Sequence, residues 1–154
     1  MNDNDEIDFI LGRESSNFLK IKINNYSYQN VDDYWDGNLL NARITLKIGG
    51  FTGDYVAQLR NTDFVDFKKD LEIIYSNLEG QVHFHDMEDY LQINISGDGL
   101  GHFKADCIAT DYPGIDGNKL TFIVGFDQTE ISSMTKMIEK IIENFPVRGN
   151  ISST

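Results

Sequence analysis

Cysteine is almost absent. Cys107 is the only one in 154 residues, which excludes a disulfide framework within the chain. Lone cysteines are usual in reducing compartments, so a cytoplasmic address is expected. Proline is scarce too, with two residues, and no Pro- or Ser-rich linker divides the sequence. Basic side chains are in deficit, 13 against 25 acids, for a net charge of −12. A chain this negative repels nucleic-acid phosphates and anionic membranes, so neither is expected as a partner. It attracts basic proteins and speeds their encounter, although acidity also serves solubility alone. No segment approaches the roughly 18 consecutive apolar residues of a membrane span. The opening Met1-Asn2-Asp3-Asn4-Asp5-Glu6 is acidic where a secretory signal would be basic and then apolar.

What is present points to a folded globule. Hydrophobic residues make up 40% and aromatics 12%, too much for a disordered chain. With no internal repeat or low-complexity tract, residues 1–154 read as one domain, frayed over 1–6 and 150–154. Phe64, Phe67, Leu71, Ile74, Tyr75 and Leu78 recur at helical spacing. Thr62 is the expected N-cap of this helix and Gly80 its stop. A second helix opens with a capping-box spacing, Asp127 to Glu130. It carries Ile131, Met134, Ile138, Ile141, Ile142 and Phe145 on one face and stops at Pro146.

The remainder alternates at period two. Leu19, Ile21 and Ile23 make one series, and Leu40 to Ile48 another. Phe51, Tyr55, Ala57 and Leu59 follow, then Val82 and Phe84, and Leu91, Ile93 and Ile95. Phe103, Ala105 and Cys107 precede a last series, Leu120 to Phe126. Gly49-Gly50 and Gly97-Asp98-Gly99 supply tight connections. Strands joined in this way exclude a doubly wound parallel sheet. The expectation is α+β, one or more antiparallel sheets of about seven to eight strands with two amphipathic helices, the second near the C-terminus.

Tyr34-Trp35-Asp36-Gly37-Asn38 holds the only tryptophan. It reads either as an aromatic anchor for a partner or as an Asp-Gly turn with Trp35 packed beneath it. Asp32, Asp33 and Asp36 form one acidic patch, and Asp86, Glu88 and Asp89 another. Both fit solvated turn acids, which would meet Lys and Arg of a partner. Neither has the ligand spacing of a calcium loop. His83 and His85 share a strand face and His102 follows on a later strand, which leaves a metal-binding or enzymatic reading open. No nucleophile elbow or phosphate-binding loop occurs, and Cys107 reads as core. No catalytic residue, metal ligand or cofactor is assigned.

Several runs together resemble the WapI-type family of bacterial immunity proteins. They are Asp33-Tyr34-Trp35-Asp36-Gly37-Asn38, Leu78-Glu79-Gly80 with Glu88 beyond, and Gly101-His102-Phe103. Asn118-Lys119-Leu120-Thr121-Phe122, Asp127-Gln128-Thr129 and Phe145-Pro146-Val147-Arg148 complete the series. Leu39 stands where the family pattern often has a second aromatic. The resemblance spans roughly residues 7 to 149, and its order and spacing carry it. It implies a protein that binds and neutralises a secreted or contact-delivered toxin domain, often a nuclease acting on RNA. Such a toxin must be basic to hold its substrate. The expected contact residues are Asp32, Asp33, Tyr34, Trp35, Asp36, Asp86, Glu88 and Asp89. A homodimer pairing through a strand edge is a further reading.

Overall fold

The computed structural model describes residues 6–149. The expected fraying at 1–5 and 150–154 lies outside the described residues. Glu6 is described, and it pairs with Lys20 and Lys22 at 3.2 Å each.

Eight strands form two four-stranded antiparallel sheets, each a simple meander. The first holds β1 (Asp8–Gly12), β2 (Phe18–Tyr26), β3 (Leu39–Ile48) and β4 (Phe51–Arg60) in that order, and α1 (Asn61–Asn77) follows. The second holds β5 (Glu79–His85), β6 (Leu91–Asp98), β7 (His102–Thr110) and β8 (Lys119–Asp127), and α2 (Gln128–Asn144) closes the chain. The α+β expectation is met in both strand number and helix placement.

Period-two alternation places one side of every strand inward. Leu19, Ile21, Leu40, Ile44 and Leu59 of the first sheet are wholly buried, as are Leu91, Ile93, Ile95 and Cys107 of the second. Lys20, Lys22, Arg43 and Lys104 alternate with them on the wet faces. Phe64, Phe67, Leu71 and Ile74 of α1, and Ile131, Met134, Ile138 and Ile141 of α2, join both inner faces in a single cluster. Rings interlock across it: Phe67 lies 5.6 Å from Phe9 in the first sheet and 5.3 Å from Phe84 in the second.

The chain is a structural repeat that residue identities do not reveal. Four strands and a helix occur twice, and the contacts are reciprocal: α1 packs on β5 of the second half, α2 on β1 of the first, and the helices pack on each other. Each helix therefore covers the neighbouring half. Each half also runs from its last strand directly into its helix. The halves differ at two connections. Residues 27–38 link β2 to β3, where 99–101 suffice between β6 and β7. Residues 111–118 link β7 to β8, where Gly49-Gly50 suffice between β3 and β4.

Local details correct the sequence reading at several points. Thr62 is not the N-cap of α1, because β4 stays extended to Arg60 and the helix begins at Asn61 without a side-chain cap. Gly80 does not stop that helix. Leu78 takes the left-handed conformation (φ 63°) with its N–H on the Ile74 carbonyl, and Gly80 already belongs to β5. Tyr75 is exposed and lies off the buried stripe, as does Phe51. β1 escaped the pattern because Phe9-Ile10-Leu11 is a continuous apolar run with no alternation. The capping box at α2 forms as its spacing implies: Asp127 accepts from the Thr129 N–H at 3.0 Å and Glu130 reaches back to the Asp127 N–H.

Candidate partner-binding site

The longer connection of the first half, residues 27–38, is built by long-range polar contacts. Asn38 is fully buried. Its amide nitrogen donates to the carbonyls of Tyr34 (2.6 Å) and Arg148 (2.9 Å), and its oxygen accepts from the Arg148 N–H (2.7 Å). The Arg148 guanidinium lies 3.4 Å over the Tyr26 ring and donates to the carbonyls of Tyr28, Gln29 and Val31. The segment after α2 thus clamps the connection. Asp33 accepts from the Gly37 N–H at 2.9 Å. A Cβ on Gly37 would meet the Val31 carbonyl oxygen at 2.7 Å, so only glycine fits there.

This geometry has the turn of the structural reading but not its packed tryptophan. Asp36–Asn38 forms a 3-10 turn that opens β3, and Gly37 and Asn38 are the buried residues. Trp35 is not packed beneath it. It remains 39% exposed, with the Tyr34 ring edge-on at 5.1 Å and the Arg60 guanidinium 5.5 Å from its own ring.

The β5–β6 hairpin, residues 86–90, faces the same point. Asp86 is not a solvated turn acid. It is 1% exposed and accepts from the N–H groups of Tyr90 (3.0 Å) and Leu91 (2.7 Å), which shape the hairpin. Burial raises its pKa and these bonds oppose the rise. Met87, Glu88 and Asp89 are consequently presented outward, Asp89 with positive φ.

Between the connection and the hairpin lies a pocket of about 360 Å³, lined by Tyr34, Trp35, Arg60, Thr62, Asp63, Asp66, His85, Asp86 and Met87. The fold therefore unites the two acidic, aromatic runs that the sequence keeps some fifty positions apart. It adds Asp63 and Asp66 from the first turns of α1. Asp32 and Asp36 lie on the exposed outside of the connection, and Glu88 and Asp89 on the outside of the hairpin.

Burial pushes the Asp63 carboxyl up to about 6, helped by Asp86 and Asp66 and opposed by Arg60 and His85. An aspartate in the unfolded chain titrates near ~3.9. The folded state thus holds this proton more tightly, and the group costs no stability below about pH 4. The cost grows between roughly pH 4 and 6 and is complete above that. Asp63→Asn is expected to match the native protein at pH 4 and to exceed it in stability at pH 7, as read by urea unfolding across that range. A pH-independent difference would refute this origin.

The histidines do not meet. All three lie on the outer face of the second sheet, but His83 bonds Asn94, His85 bonds Asp89 at 2.5 Å and His102 bonds Asp98 at 3.1 Å. Among the described residues, no three His, Cys, Asp or Glu groups converge as a metal site requires. Cys107 is buried, with its thiol pushed up to about 12. No helix of the described residues is long and apolar enough to cross a membrane.

Fold and pocket together define an α+β protein whose two like halves enclose one core and whose acid-lined, aromatic-lipped pocket sits on the seam between them. The model of the immunity protein WapI-like family matches residues 9–146, and the chain belongs to that family. The family suggests a role in immunity to a toxin. No curated protein matches the sequence significantly. Among solved structures, the Trypanosoma bruciei MRP1/MRP2 proteins align at 10% identity over 92% of this chain and 86% of theirs, TM-score 0.48. A guide-RNA-binding protein complex bound to a gRNA aligns at 9%, over 90% of each chain, TM-score 0.48. The plant transcriptional regulator PBF-2 aligns at 10%, over 94% and 84%, TM-score 0.46. Likenesses this distant carry nothing over to the present chain.

Proposed function

We propose that the protein neutralises a cognate basic toxin domain, a nuclease delivered by secretion or contact, by seating it on the face formed by residues 27–38 and 86–90. The observation that carries this reading is the pocket between them. Exposed Trp35 and Met87 form an apolar lip over three carboxylates, Asp63, Asp66 and Asp86. Trp and Tyr anchors beside charge are the composition of energetic hot spots, and an acidic rim steers a cationic partner. Arg60 already lies over the Trp35 ring, the position an arginine of the partner would take from the other side. Asp32, Asp33, Asp36, Glu88 and Asp89 surround the lip and draw the toxin in. Asp86 acts one step back by holding the hairpin in shape.

Inhibition of this kind needs no catalysis, cofactor or metal, and it takes place in the cytoplasm. The test is growth rescue by co-expression with the toxin domain encoded beside this gene. Rescue by the native chain, lost when Glu88 and Asp89 are both changed to lysine, is the expected result. Failure of the native chain to rescue refutes cognate immunity.

A further inference from the structure

The longer connection of the second half, residues 111–118, differs from a slack loop. Its base is closed on both sides: the Asp111 N–H donates to the Asn118 carbonyl at 3.1 Å, and the Asp111 carboxylate accepts from the Asn118 N–H at 2.8 Å and from its side-chain amide at 3.1 Å. A Cβ on Gly117 would overlap the Tyr112 carbonyl oxygen at 1.7 Å, so the closed form requires glycine there. On this fixed base stand Tyr112, 70% exposed, and Ile115, wholly exposed. A loop shaped in advance presents these two apolar side chains with little further ordering cost for a contact made there.

The place of this loop is as telling as its shape. It adjoins the β5–β6 hairpin at one end of the second sheet, since Thr110 bonds the Tyr90 carbonyl. The edge strand β4 runs past the same end. Arg60 reaches Met87, Tyr55 donates its hydroxyl to Tyr90 at 3.0 Å, and residues 51–55 border a second pocket of about 310 Å³ with Ala109, Asp111 and Leu120. Exposed Phe51 stands at its edge. Trp35 and Met87 thus lie at the Arg60 end of β4 and Phe51 at its other end, with Asp111 and Asn118 of the loop base beside residues 51–55. The two connections that break the repeat both open onto this side. Asp111 and Asp116 of the loop and Glu88 and Asp89 of the adjoining hairpin border this end with the one cation Lys119, while Asp54 is ion-paired with Arg43 at 2.6 Å.

We propose that the 111–118 loop and the pocket beside Phe51 are a second, apolar contact for the same basic protein partner, which inserts an apolar side chain there while its cations meet the Trp35 pocket. The proposal rests on the immunity reading. Continuity of the face and its acidic border name the occupant: a cationic protein surface with a protruding apolar residue. A second copy of this chain, equally acidic, would bring like charge to the same border.

The test is calorimetric titration of the full chain with the purified toxin domain encoded beside the gene, using the native protein, Ile115→Arg, and the double variant Tyr112→Ser/Ile115→Ser. Both side chains are exposed, so circular dichroism and thermal unfolding should match the native protein. The expected result is at least a tenfold weaker Kd for each variant. Native binding with unchanged affinity in both would overturn this second contact and leave the immunity reading standing. Absence of native binding would sink both together. Light scattering that finds a native dimer abolished by Ile115→Arg would assign the face to self-association and overturn the proposal.

Discussion

Asn38→Ala is expected to lower the unfolding midpoint by on the order of 10 °C, the largest loss of stability from a single polar side chain in this protein. Asn38 is fully buried and its side chain makes three hydrogen bonds, one to nearby Tyr34 and two to Arg148 at the far end of the chain. Truncation strands one N–H and two carbonyls. Each buried group left unpaired costs about 1–3 kcal/mol, so about 3–5 kcal/mol is expected with partial relaxation. For a chain of this size, each kcal/mol moves the midpoint by roughly 2–4 °C. Asn38→Asp is expected to fail as well, since a carboxylate cannot donate to the carbonyls of Tyr34 and Arg148. Asp36→Ala, two positions away and exposed, serves as the control and should stay within about 0.5 kcal/mol. Calorimetry of the three variants checks this. A midpoint for Asn38→Ala within 2 °C or so of the native value would mean that the clamp on residues 27–38 is weaker than its geometry implies.

The second large effect concerns binding. Trp35→Ala and Asp66→Lys should each raise the Kd for the toxin domain by about a hundredfold or more, equivalent to about 2.7 kcal/mol. Both side chains are exposed at the pocket, so folding should change by no more than about 1 kcal/mol. The two act differently. Trp35→Ala removes an anchor and should mainly speed dissociation. Asp66→Lys reverses charge and should also slow association, with a weaker dependence on salt. Surface plasmon resonance at two ionic strengths separates the rates. Native affinity in either folded variant would place the toxin elsewhere on the molecule.

The family motifs acquire physical meaning from the same contacts. Asn38 and Arg148 belong to runs at opposite ends of the resemblance, and they bond directly to each other. Gly37 is glycine because a carbonyl crosses its α-carbon. These residues shape the connection, and Trp35 and Asp36, within the same run, are left at the surface. The buried part of this run, Gly37 and Asn38, supports the platform on which Trp35 stands.

The sequence by itself determined seven of the eight strands, both helices and the faces they bury, because period-two and helical spacings record burial residue by residue. It determined the capping box at Asp127 and the Gly49-Gly50 turn, since both depend on neighbours in the chain. It missed β1, whose apolar run has no alternation. It also misplaced the ends of α1, where a direct strand-to-helix junction and a left-handed Leu78 replace the usual caps.

Tertiary structure decided everything that rests on distant partners. The repeat of four strands and a helix is invisible in residue identities, because burial constrains only hydropathy and leaves the identities free to diverge. The exchange of helices between halves follows from packing both sheets around one core. The pocket exists because that packing brings α1, the Trp35 connection and the β5–β6 hairpin to one place. Asp86 lies inside and Ile115 outside for the same reason: local sequence sets what a turn can do, and the neighbouring half decides which of its side chains meets water.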